Sequence, residues 1–351
     1  MSEAPDRAPT LERWVPPGRA VVTGGAGFIG SALVAELNRR GFDEVLIVDR
    51  LRNGPKWKNL VPLRFADYVE ADDFYPRLAR EPEAFGDVRA VFHLGACSST
   101  TERDAAYLVH NNYEASKTLG AWALARDARL VYASSAATYG GLERGLSESR
   151  PLASLRPLNG YGFSKQLFDC YAQRNAWLAR AVGIKYFNVF GPGESHKGEM
   201  RSLVPKAFEQ IRDGGLVRLF KSYRPEFADG CQRRDFVWIE DAVAATLFLA
   251  AEASAHGLYN VGSGRASSWL ELVEPIFRTL GLPQRIEFIE MPEAMRPAYQ
   301  YYTCAEIERL RTAGFAAAMT PLAEAVASYA RTLAAEESAP FTAPTQELAA
   351  S

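Results

Sequence analysis

Short runs of apolar, often β-branched residues alternate with helical patterns along the first half of the chain. The runs have the length of strands and are apolar at nearly every position, which is typical of a parallel sheet buried on both faces. The pattern therefore predicts an α/β fold, a Rossmann-type doubly wound parallel sheet with helices on both sides. Strands are expected at 20–24, 44–49, 89–95, 128–135 and 183–189, and helices at 28–40, 104–126 and 161–182.

The pattern changes after Asn188, where loops rich in glycine and proline separate shorter elements. These elements are expected to be a helix near 201–213 and strands near 217–220 and 234–238. Further on, "SWLELVEPIFRTLG" begins with Ser268 followed by Glu271, the residue pair of a helix capping box. Together these pieces predict a smaller C-terminal α/β lobe over the carboxyl edge of the sheet, with the ligand in the crevice between them.

The two patterns divide the chain into a sheet domain and a substrate-binding lobe. Both ends of the chain lack an apolar pattern and are expected to be flexible tails. The expected divisions are a tail at 1–17, a Rossmann domain at 18–187 plus about 236–265, a substrate-binding lobe at 188–235 and 266–335, and a tail at 336–351.

Composition and charge exclude several classes of protein. The 351 residues are 48% hydrophobic and 23% charged with a net charge of −2, which gives no reason to expect a nucleic-acid partner. The four cysteines contain no CxxC pair, and the four histidines lack zinc-site spacing, so we expect reduced thiols and no metal. The N-terminal segment lacks the apolar core of a secretory signal, and no run approaches the roughly 20 apolar residues of a membrane span. We therefore expect a cytoplasmic protein without a membrane contact.

A glycine-rich segment, "TGGAGFIG", follows the first predicted strand and begins an amphipathic helix. Glycine lets the backbone turn tightly and approach a pyrophosphate, while the helix N-terminus supplies N–H donors. Asp49 ends the next strand about 20 residues further on, as expected in a dinucleotide-binding fold. The segment predicts a dinucleotide site that includes Gly24, Gly27, Phe28, Ile29 and Gly30.

The residues after the second strand bear on which nicotinamide cofactor is bound. Asp49 suits a ribose 2′-hydroxyl and favours NAD. Arg50, Arg52 and Lys56 follow closely in "DRLRNGPKWKN", and such cations can hold a 2′-phosphate. We favour NADP as the cofactor, with NAD as the alternative.

Three polar residues suit proton transfer next to the dinucleotide. Ser135 lies at the end of a predicted strand, in "YASSAATYGG", while Tyr161 and Lys165 are spaced i, i+4 on one helical face. A phenol titrates near pH 10, so we expect a nearby ammonium and the positive cofactor ring to lower the pKa of Tyr161. Ser135 can donate a hydrogen bond to the same substrate oxygen. The set is suited to proton transfer coupled to hydride transfer at a carbinol.

These segments resemble the extended short-chain dehydrogenase/reductases that modify nucleotide sugars. The resemblance rests on "TGGAGFIG", "HLGACSSTTE", "YASSAATYGG", "YGFSK" and "YFNVFGP", and covers roughly residues 19–333. Within that group, "FADYVEADDF", "FGDVRAVFHLGACSSTTERD", "NNYEASK" and "ESHKGEM" closely resemble the family of ADP-L-glycero-D-manno-heptose 6-epimerases, which act in synthesis of the lipopolysaccharide inner core.

The resemblance implies inversion at C6 of the sugar without net redox change. In that family bound NADP takes hydride from C6, giving a 6-keto intermediate, and returns it to the opposite face. Acid/base residues are needed for two orientations of the carbonyl, and by matching they are Tyr161 and Lys197. Ser135 binds the reacting oxygen, and Lys165 stays charged to hold the nicotinamide ribose. Burial is expected to lower the pKa of Lys197.

The same matching assigns binding residues. It implies cofactor contacts from Leu94, Gly95, Ala96, Cys97, Ser98 and Asn111, in addition to Asp49, Arg50, Lys56 and Lys165. It implies substrate positions at Ser135, Asn188, Glu199, Lys206, Phe220, Arg234 and Tyr299. A guanidinium such as that of Arg234 can hold a pyrophosphate with two parallel hydrogen bonds. The family forms homo-oligomers, typically pentamers, so the expected partners are a nucleotide sugar and further copies of the chain.

Three departures from the family pattern border the expected substrate site. Leu94 stands where an acid is common, and Glu199 stands where a small polar residue is usual. The segment at 221–236, "KSYRPEFADGCQRRDF", is longer than the corresponding family loop.

Three other functions are open to a chain of this fold. A sugar 4,6-dehydratase usually has a Thr-Asp-Glu run where this chain has "SSAAT", so elimination would lack its acid pair. A 4-epimerase acting on UDP-glucose needs no lysine at position 197 and is the nearest alternative. A cofactor-sensing protein without chemistry tends to lose the tyrosine or lysine, and this chain keeps both.

Overall fold

The apolar runs form the strands of a parallel sheet, as predicted. The computed structural model of the chain describes residues 13–338. The strands in that part are β1 (Arg19–Thr23), β2 (Val45–Asp49), β3 (Asp67–Glu70), β4 (Val88–His93), β5 (Arg129–Ser135), β6 (Val182–Tyr186), β7 (Asn188–Phe190), β8 (Val217–Phe220), β9 (Arg233–Trp238), β10 (Gly257–Val261), β11 (Ala266–Ser268) and β12 (Ile286–Ile289). Seven of them pair in parallel in the order β3-β2-β1-β4-β5-β6-β10, which confirms the Rossmann-type fold.

Helices cover both faces of this sheet. Within residues 13–338 they are α1 (Phe28–Arg39), α2 (Ala71–Arg80), α3 (Ala105–Leu108), α4 (Ala115–Ala125), α5 (Gly160–Arg174), α6 (Leu203–Gly214), α7 (Ile239–Ala251), α8 (Trp269–Leu280), α9 (Glu308–Thr312) and α10 (Leu322–Ser338). Alternate residues of a strand face opposite sides, so Val22 of β1 packs in the cluster that holds Leu33 of α1. Its neighbour Val21 packs in the cluster of Phe74 and Trp122, from α2 and α4.

Three predicted elements differ from the observed ones in where they end or divide. The expected strand at 183–189 is divided at Phe187, whose N–H donates to Val261, so β6 stays in the large sheet and β7 joins β9. The expected helix at 161–182 ends at Arg174, because Ala176 has a left-handed backbone (φ 58°) and a 3-10 turn, Trp177–Ala179, follows. The predicted helix at 104–126 consists of α3, a π-helical turn at Val109–Glu114, and α4.

Two smaller sheets lie beyond β6. One has the order β11-β9-β7, and β12 pairs with β8 in the other. The predicted capping box at the start of α8 is confirmed, since the Ser268 side chain accepts from the Glu271 N–H and the Glu271 side chain accepts from the Ser268 N–H. The strands and helices that the pattern did not predict include β3, α2, α7, β10 and α10.

The predicted tails fall mostly outside the described residues. Residues 1–12 and 339–351 are not described. Trp14, within the predicted N-terminal tail, packs against the core, and its carbonyl accepts from Nη1 of Arg40 at 3.0 Å. The last three described residues, 336–338, end α10.

A buried ion pair joins α5 to the central strands. Nζ of Lys185 in β6 lies 2.6 Å from Oδ2 of Asp169 in α5, and neither side chain is exposed. The Asp169 carboxylate also accepts from Tyr132 Oη at 3.0 Å and Ser134 Oγ at 2.7 Å, both in β5. Lys185 also donates to Thr138 Oγ1 at 2.7 Å. Because the partners come from α5, β5, β6 and the 3-10 turn Ala136–Tyr139, the pair fixes α5 relative to the carboxyl ends of β5 and β6.

Replacing Lys185 by Met keeps most of the side-chain volume but leaves the Asp169 carboxylate buried without its cation. We expect Lys185→Met to lower the free energy of unfolding by about 3–5 kcal/mol, as measured by urea denaturation. The control is Glu274→Ala, which removes the exposed Arg278–Glu274 pair. This substitution should change the free energy of unfolding by less than about 1 kcal/mol. Equally small effects of the two substitutions would contradict a structural role for the buried pair.

Candidate active site

A cleft of about 630 Å³ lies at the carboxyl ends of the strands, where the strand order reverses between β1 and β4. It brings together all of the residues that the sequence assigned to the cofactor and to catalysis. These lining residues are Gly24, Gly27, Phe28, Ile29, Gly30, Asp49, Arg50, Lys56, Leu94, Gly95, Ala96, Cys97, Ser98, Asn111, Ser135, Tyr161, Lys165 and Lys197.

The glycine loop leaves no room for side chains at two of its positions. Gly24 has a φ of +70°, and a Cβ on it would lie 2.7 Å from the Gly95 nitrogen. A Cβ on Gly30 would lie 2.1 Å from the Gly24 carbonyl oxygen. Gly27, the N-cap of α1, offers no side-chain cap to the first N–H groups of the helix. The loop therefore fits the pyrophosphate of a dinucleotide, which can accept from those N–H groups.

Asp49 ties the end of β2 to the glycine loop. Its Oδ2 accepts from the Ala26 N–H at 2.9 Å, and its Oδ1 accepts from the Arg50 N–H at 2.7 Å and from Nζ of Lys56. Asp49 is buried, so the ammonium of Lys56 compensates a carboxylate that is shielded from water. The side chain thus has a structural role that its position in the motif does not reveal.

The cations after β2 are held at the rim of the same cleft. Arg50 donates from Nε to Asp72 and from Nη1 to Asn111, both at 2.6 Å. Arg52 donates to the hydroxyl of Tyr107 at 3.2 Å. These contacts leave two guanidinium groups beside the glycine loop, where a 2′-phosphate would be neutralised.

Ser135, Tyr161 and Lys165 meet where β5 ends and α5 begins. Asn159 caps α5 by accepting from the Gly162 N–H at 2.8 Å, which sets the first turn that carries Tyr161. Burial raises the pKa of the Tyr161 phenol, and a hydrogen bond with the Ser135 side chain offsets part of that shift. The direction is opposite to the one expected from the sequence, because desolvation of the ring outweighs the favourable contacts.

Lys165 points back into the protein rather than outward. Its Nζ donates to the Ala133 carbonyl at 2.7 Å, and the residue is 5% exposed. Burial lowers the pKa of Lys165 to about 8, and the Asp169 carboxylate, one helical turn away, acts in the opposite direction. The ammonium form therefore persists at neutral pH, although less firmly than in an exposed lysine.

Lys197 enters the cleft from a different segment. After β7 the chain forms a 3-10 segment, Ser195–Met200, interrupted at Gly198 with a φ of 54°. Nζ of Lys197 lies 5.3 Å from the ring centroid of Phe28 and 4.0 Å from Oε2 of Glu194. Burial lowers the pKa of Lys197, as predicted, while Glu194 acts in the opposite direction.

Glu194 is a fully buried carboxylate that the sequence did not single out. It accepts from the Ser202 N–H and Oγ, both at 2.6 Å, in addition to its contact with Lys197. The charge pair therefore fixes the start of α6 relative to the lysine.

Buried polar residues that the sequence did not predict contact the lining residues Thr23 and Cys97 from inside the protein. His93 contacts Thr23 Oγ1 through Nδ1 and Ser116 Oγ through Nε2, both at 2.7 Å. Burial lowers the pKa of His93 to about 3, so its ring is neutral. Asn112 donates to the Cys97 carbonyl at 2.9 Å and accepts from the Cys97 N–H at 2.8 Å. Polar residues inside otherwise apolar elements are the one sequence signal that marks such positions.

The residues assigned to the substrate do not line this cleft, apart from Ser135. Arg234 is buried, with its Cζ 5.1 Å from the ring centroid of Tyr299 and 5.8 Å from that of Trp269. Trp269 donates from Nε1 to the Tyr299 hydroxyl at 2.9 Å, so the cation lies between two linked rings. Phe220 ends β8, and Asn188 is exposed at the start of β7.

Glu199 and Lys206 form an ion pair of 3.1 Å. They line a separate groove of about 570 Å³ together with Arg201, Glu209 and Arg218. The structure therefore groups these two predicted substrate positions with each other and not with Tyr161.

The cleft also contains residues that the motifs missed. Tyr75 of α2 and Tyr107 of α3 line it and lie outside the quoted motifs. Arg52, which was expected beside a 2′-phosphate, and His196, within "ESHKGEM", line it as well. Within residues 13–338, no group of three or more histidine, cysteine or acidic side chains is arranged to hold a metal ion. In the same part of the chain, no helix has the length and apolar character needed to cross a membrane.

Comparison with known proteins identifies the family. The model of the "NAD dependent epimerase/dehydratase family" matches residues 20–262. An ADP-L-glycero-D-manno-heptose-6-epimerase of Nitratidesulfovibrio vulgaris strain DP4 is 45% identical over 312 residues, covering 89% of this chain and 96% of the relative. The enzyme of the same name from Alkalilimnicola ehrlichii is 45% identical over 311 residues, covering 88% and 95%.

A solved structure agrees with these relatives. The crystal structure of Helicobacter pylori ADP-L-glycero-D-manno-heptose-6-epimerase has a TM-score of 0.77 and 28% identity, covering 95% of this chain and all of that one. The family and these names support an epimerase role with a nicotinamide cofactor. The chain therefore belongs to the NAD dependent epimerase/dehydratase family, as a relative of the ADP-L-glycero-D-manno-heptose-6-epimerases over nearly its whole length.

Proposed function

We propose that the chain inverts C6 of ADP-D-glycero-D-manno-heptose to give ADP-L-glycero-D-manno-heptose, in the synthesis of lipopolysaccharide core precursors. The observation that carries the proposal is that Tyr161 and Lys197, from segments far apart in the sequence, line one cleft with the glycine loop. An epimerisation that presents a carbonyl in two orientations needs two such groups.

The cofactor in this proposal is NADP. Gly24, Gly27 and Gly30 would hold its pyrophosphate, and Arg50 and Lys56 would hold the 2′-phosphate. When bound, its nicotinamide supplies a hydride acceptor and donor at C6. NAD is the alternative, because Asp49 also ends β2 at this position.

Tyr161 and Lys197 are the proposed acid/base pair. Burial raises the pKa of the Tyr161 phenol, so Oη keeps its proton at neutral pH and can donate it to a carbonyl oxygen. Burial lowers the pKa of Lys197, so Nζ releases its proton more readily and can accept one from a hydroxyl. Opposite shifts in one cleft favour a donor on one side and an acceptor on the other.

The remaining roles follow from the same proposal. Ser135 would orient the reacting oxygen, and the Lys165 ammonium would hold the nicotinamide ribose. Arg234 would bind the diphosphate of the sugar nucleotide, since a buried guanidinium gains from an anionic partner. The proposed substrate positions also include Asn188, Glu199, Lys206, Phe220 and Tyr299.

The proposal includes a division into a Rossmann domain at 18–187 plus about 236–265, with a substrate-binding lobe formed by the segments 188–235 and 266–335. It also includes a homo-oligomer in the cytoplasm. Its support is the family resemblance and the composition of the chain.

The direct test is incubation of the purified protein with ADP-D-glycero-D-manno-heptose, with the C6 configuration followed by NMR. We expect the two C6 epimers to interconvert without net consumption of cofactor. The matched comparison uses UDP-glucose. Interconversion of UDP-glucose and UDP-galactose, with no change at C6 of the heptose, would replace the proposal by a 4-epimerase activity.

A lysine substitution tests the second acid/base group. We expect Lys197→Met to lower the rate of C6 inversion by at least about 100-fold, the lower end of the contribution of acid/base catalysis. Affinity for NADPH, measured by fluorescence titration, should stay near that of the unchanged protein. Lys58→Met, which removes an exposed lysine, is the control. Near-normal inversion by Lys197→Met would remove Lys197 from the mechanism.

Cofactor affinity should depend on pH through Lys165. Its pKa is lowered to about 8, so the ammonium is present below that pH and lost above it. We expect the dissociation constant for NADPH to rise as the pH passes upward through about 8. Lys197→Met should keep this dependence, and Lys165→Met should lose it. An NADPH affinity that is flat across this range in the unchanged protein would show that the Lys165 charge does not hold the cofactor.

A further inference from the structure

One asparagine connects two walls of the cleft. Asn59 belongs to a 3-10 segment, Pro55–Leu60, that follows β2. Its Nδ2 lies 3.0 Å from the Ala26 carbonyl oxygen in the glycine loop and 3.1 Å from the Gly193 carbonyl oxygen. The same nitrogen lies 3.2 Å from Nδ1 of His196, next to Lys197.

The chemistry of these atoms makes Asn59 a donor to both walls. An amide nitrogen has two hydrogens, so Asn59 can donate to both carbonyl oxygens, and to His196 Nδ1 only in the tautomer that carries its proton on Nε2. His196 Nδ1 also lies 3.1 Å from the Gly193 carbonyl oxygen, to which it donates in the other tautomer. Burial lowers the pKa of His196, and the nearby ammonium groups of Lys56 and Lys197 act in the same direction. Both effects favour the neutral ring, which has one donor nitrogen and one acceptor nitrogen.

The segment that carries Asn59 already contacts the proposed cofactor loop. Lys56, three residues earlier, pairs with Asp49, whose Oδ2 accepts from the Ala26 N–H. Asp49 and Asn59 thus hold the N–H and the C=O of the same residue. These two contacts fix Ala26 in the glycine loop. The second hydrogen of the Asn59 amide nitrogen is then available to the segment that carries Lys197.

The segment that carries Lys197, Gly193–Met200, has few other polar contacts to the glycine loop. Lys197 lies over the Phe28 ring, which is a non-directional contact. Glu194 holds the Lys197 N–H through its carbonyl at 2.9 Å, but Glu194 belongs to the same segment. The directional contact between the two walls is therefore made by Asn59.

We propose that Asn59 is a positioning residue whose amide ties the segment Gly193–Met200 to the glycine loop, so that Lys197 is held against the cofactor side of the cleft. Its catalytic consequence rests on the proposed function. The structural consequence, a docked segment at 193–200, is independent of which sugar is turned over. The residue was not expected from the sequence, because its three partners are distant from it along the chain.

Two variants separate hydrogen bonding from packing. Asn59→Ala removes the amide, and Asn59→Asp keeps its shape but has no hydrogen to donate to either carbonyl. Asn175→Ala is the matched control, because Asn175 is exposed and its Nδ2 donates to a single carbonyl, that of Tyr171, at 2.8 Å. Each variant is tested by backbone hydrogen–deuterium exchange of the whole protein and by the rate of C6 inversion.

We expect both Asn59 variants to speed exchange at 193–200 by about tenfold, since the loss of hydrogen bonds favours local opening. Exchange in α7 should not change. The kcat for C6 inversion should fall by about 100-fold, as for a reacting group misplaced by about 1 Å, with little change in KM. Asn175→Ala should match the unchanged protein in both measurements.

Three results would overturn the proposal. The first is an Asn59→Asp variant with the same exchange and kcat as the unchanged protein. The second is a loss of kcat without faster exchange at 193–200. The third is exchange in α7 that becomes faster by the same factor as at 193–200, which would indicate general unfolding. If the unchanged protein does not invert C6, the proposed function fails. The exchange measurement then still decides whether Asn59 docks the lysine segment.

Discussion

The arrangement of the cleft depends on the buried contact between Asp169 and Lys185. A carboxylate and an ammonium that are both shielded from water must lie close together, so α5 cannot shift relative to β5 and β6 without exposing one of them. Lys165 lies one turn from Asp169 and is held by the Ala133 carbonyl, again in β5. The end of β5 and the start of α5 are thereby fixed together, which places Ser135 beside Tyr161.

The other side of the cleft depends on close backbone approach. Gly24 and Gly30 allow β1, α1 and the chain after β4 to meet with no side chains between them. Asp49 accepts from the N–H of Ala26, and Asn59 donates to its carbonyl oxygen. A buried charge pair fixes the side of the cleft formed by β5 and α5. On the other side, glycines let the backbones approach closely. Lys197 enters the cleft on a third segment. Burial shifts the pKa values of Tyr161 and Lys197 in opposite directions, because it disfavours a phenolate in one case and an ammonium in the other.

The sequence predicted what is encoded locally. Apolar runs marked five strands of the large sheet, and contiguous motifs marked the glycine loop, the tyrosine helix and the lysine segment. Contacts between distant residues leave no such pattern, which is why Asn59, Asn112 and Glu194 were missed. The division of the strand at Phe187 depends on a hydrogen bond to β10, and the raised pKa of Tyr161 depends on burial in the folded protein. Neither can be read from neighbouring residues.

The three departures from the family pattern differ in their relation to the cleft. Glu199 is paired with Lys206 at the surface, with its side chain almost fully exposed, so its charge is satisfied away from Tyr161. Leu94 lines the cleft and packs against the core, so an apolar side chain replaces a charge beside the proposed cofactor. The longer segment is anchored where Arg224 pairs with Glu143 and lies over Tyr301, whose ring contacts Tyr299 beside Arg234. Leu94 therefore changes the lining of the cleft itself, this loop changes the surroundings of Arg234, and Glu199 changes the separate groove that it shares with Lys206.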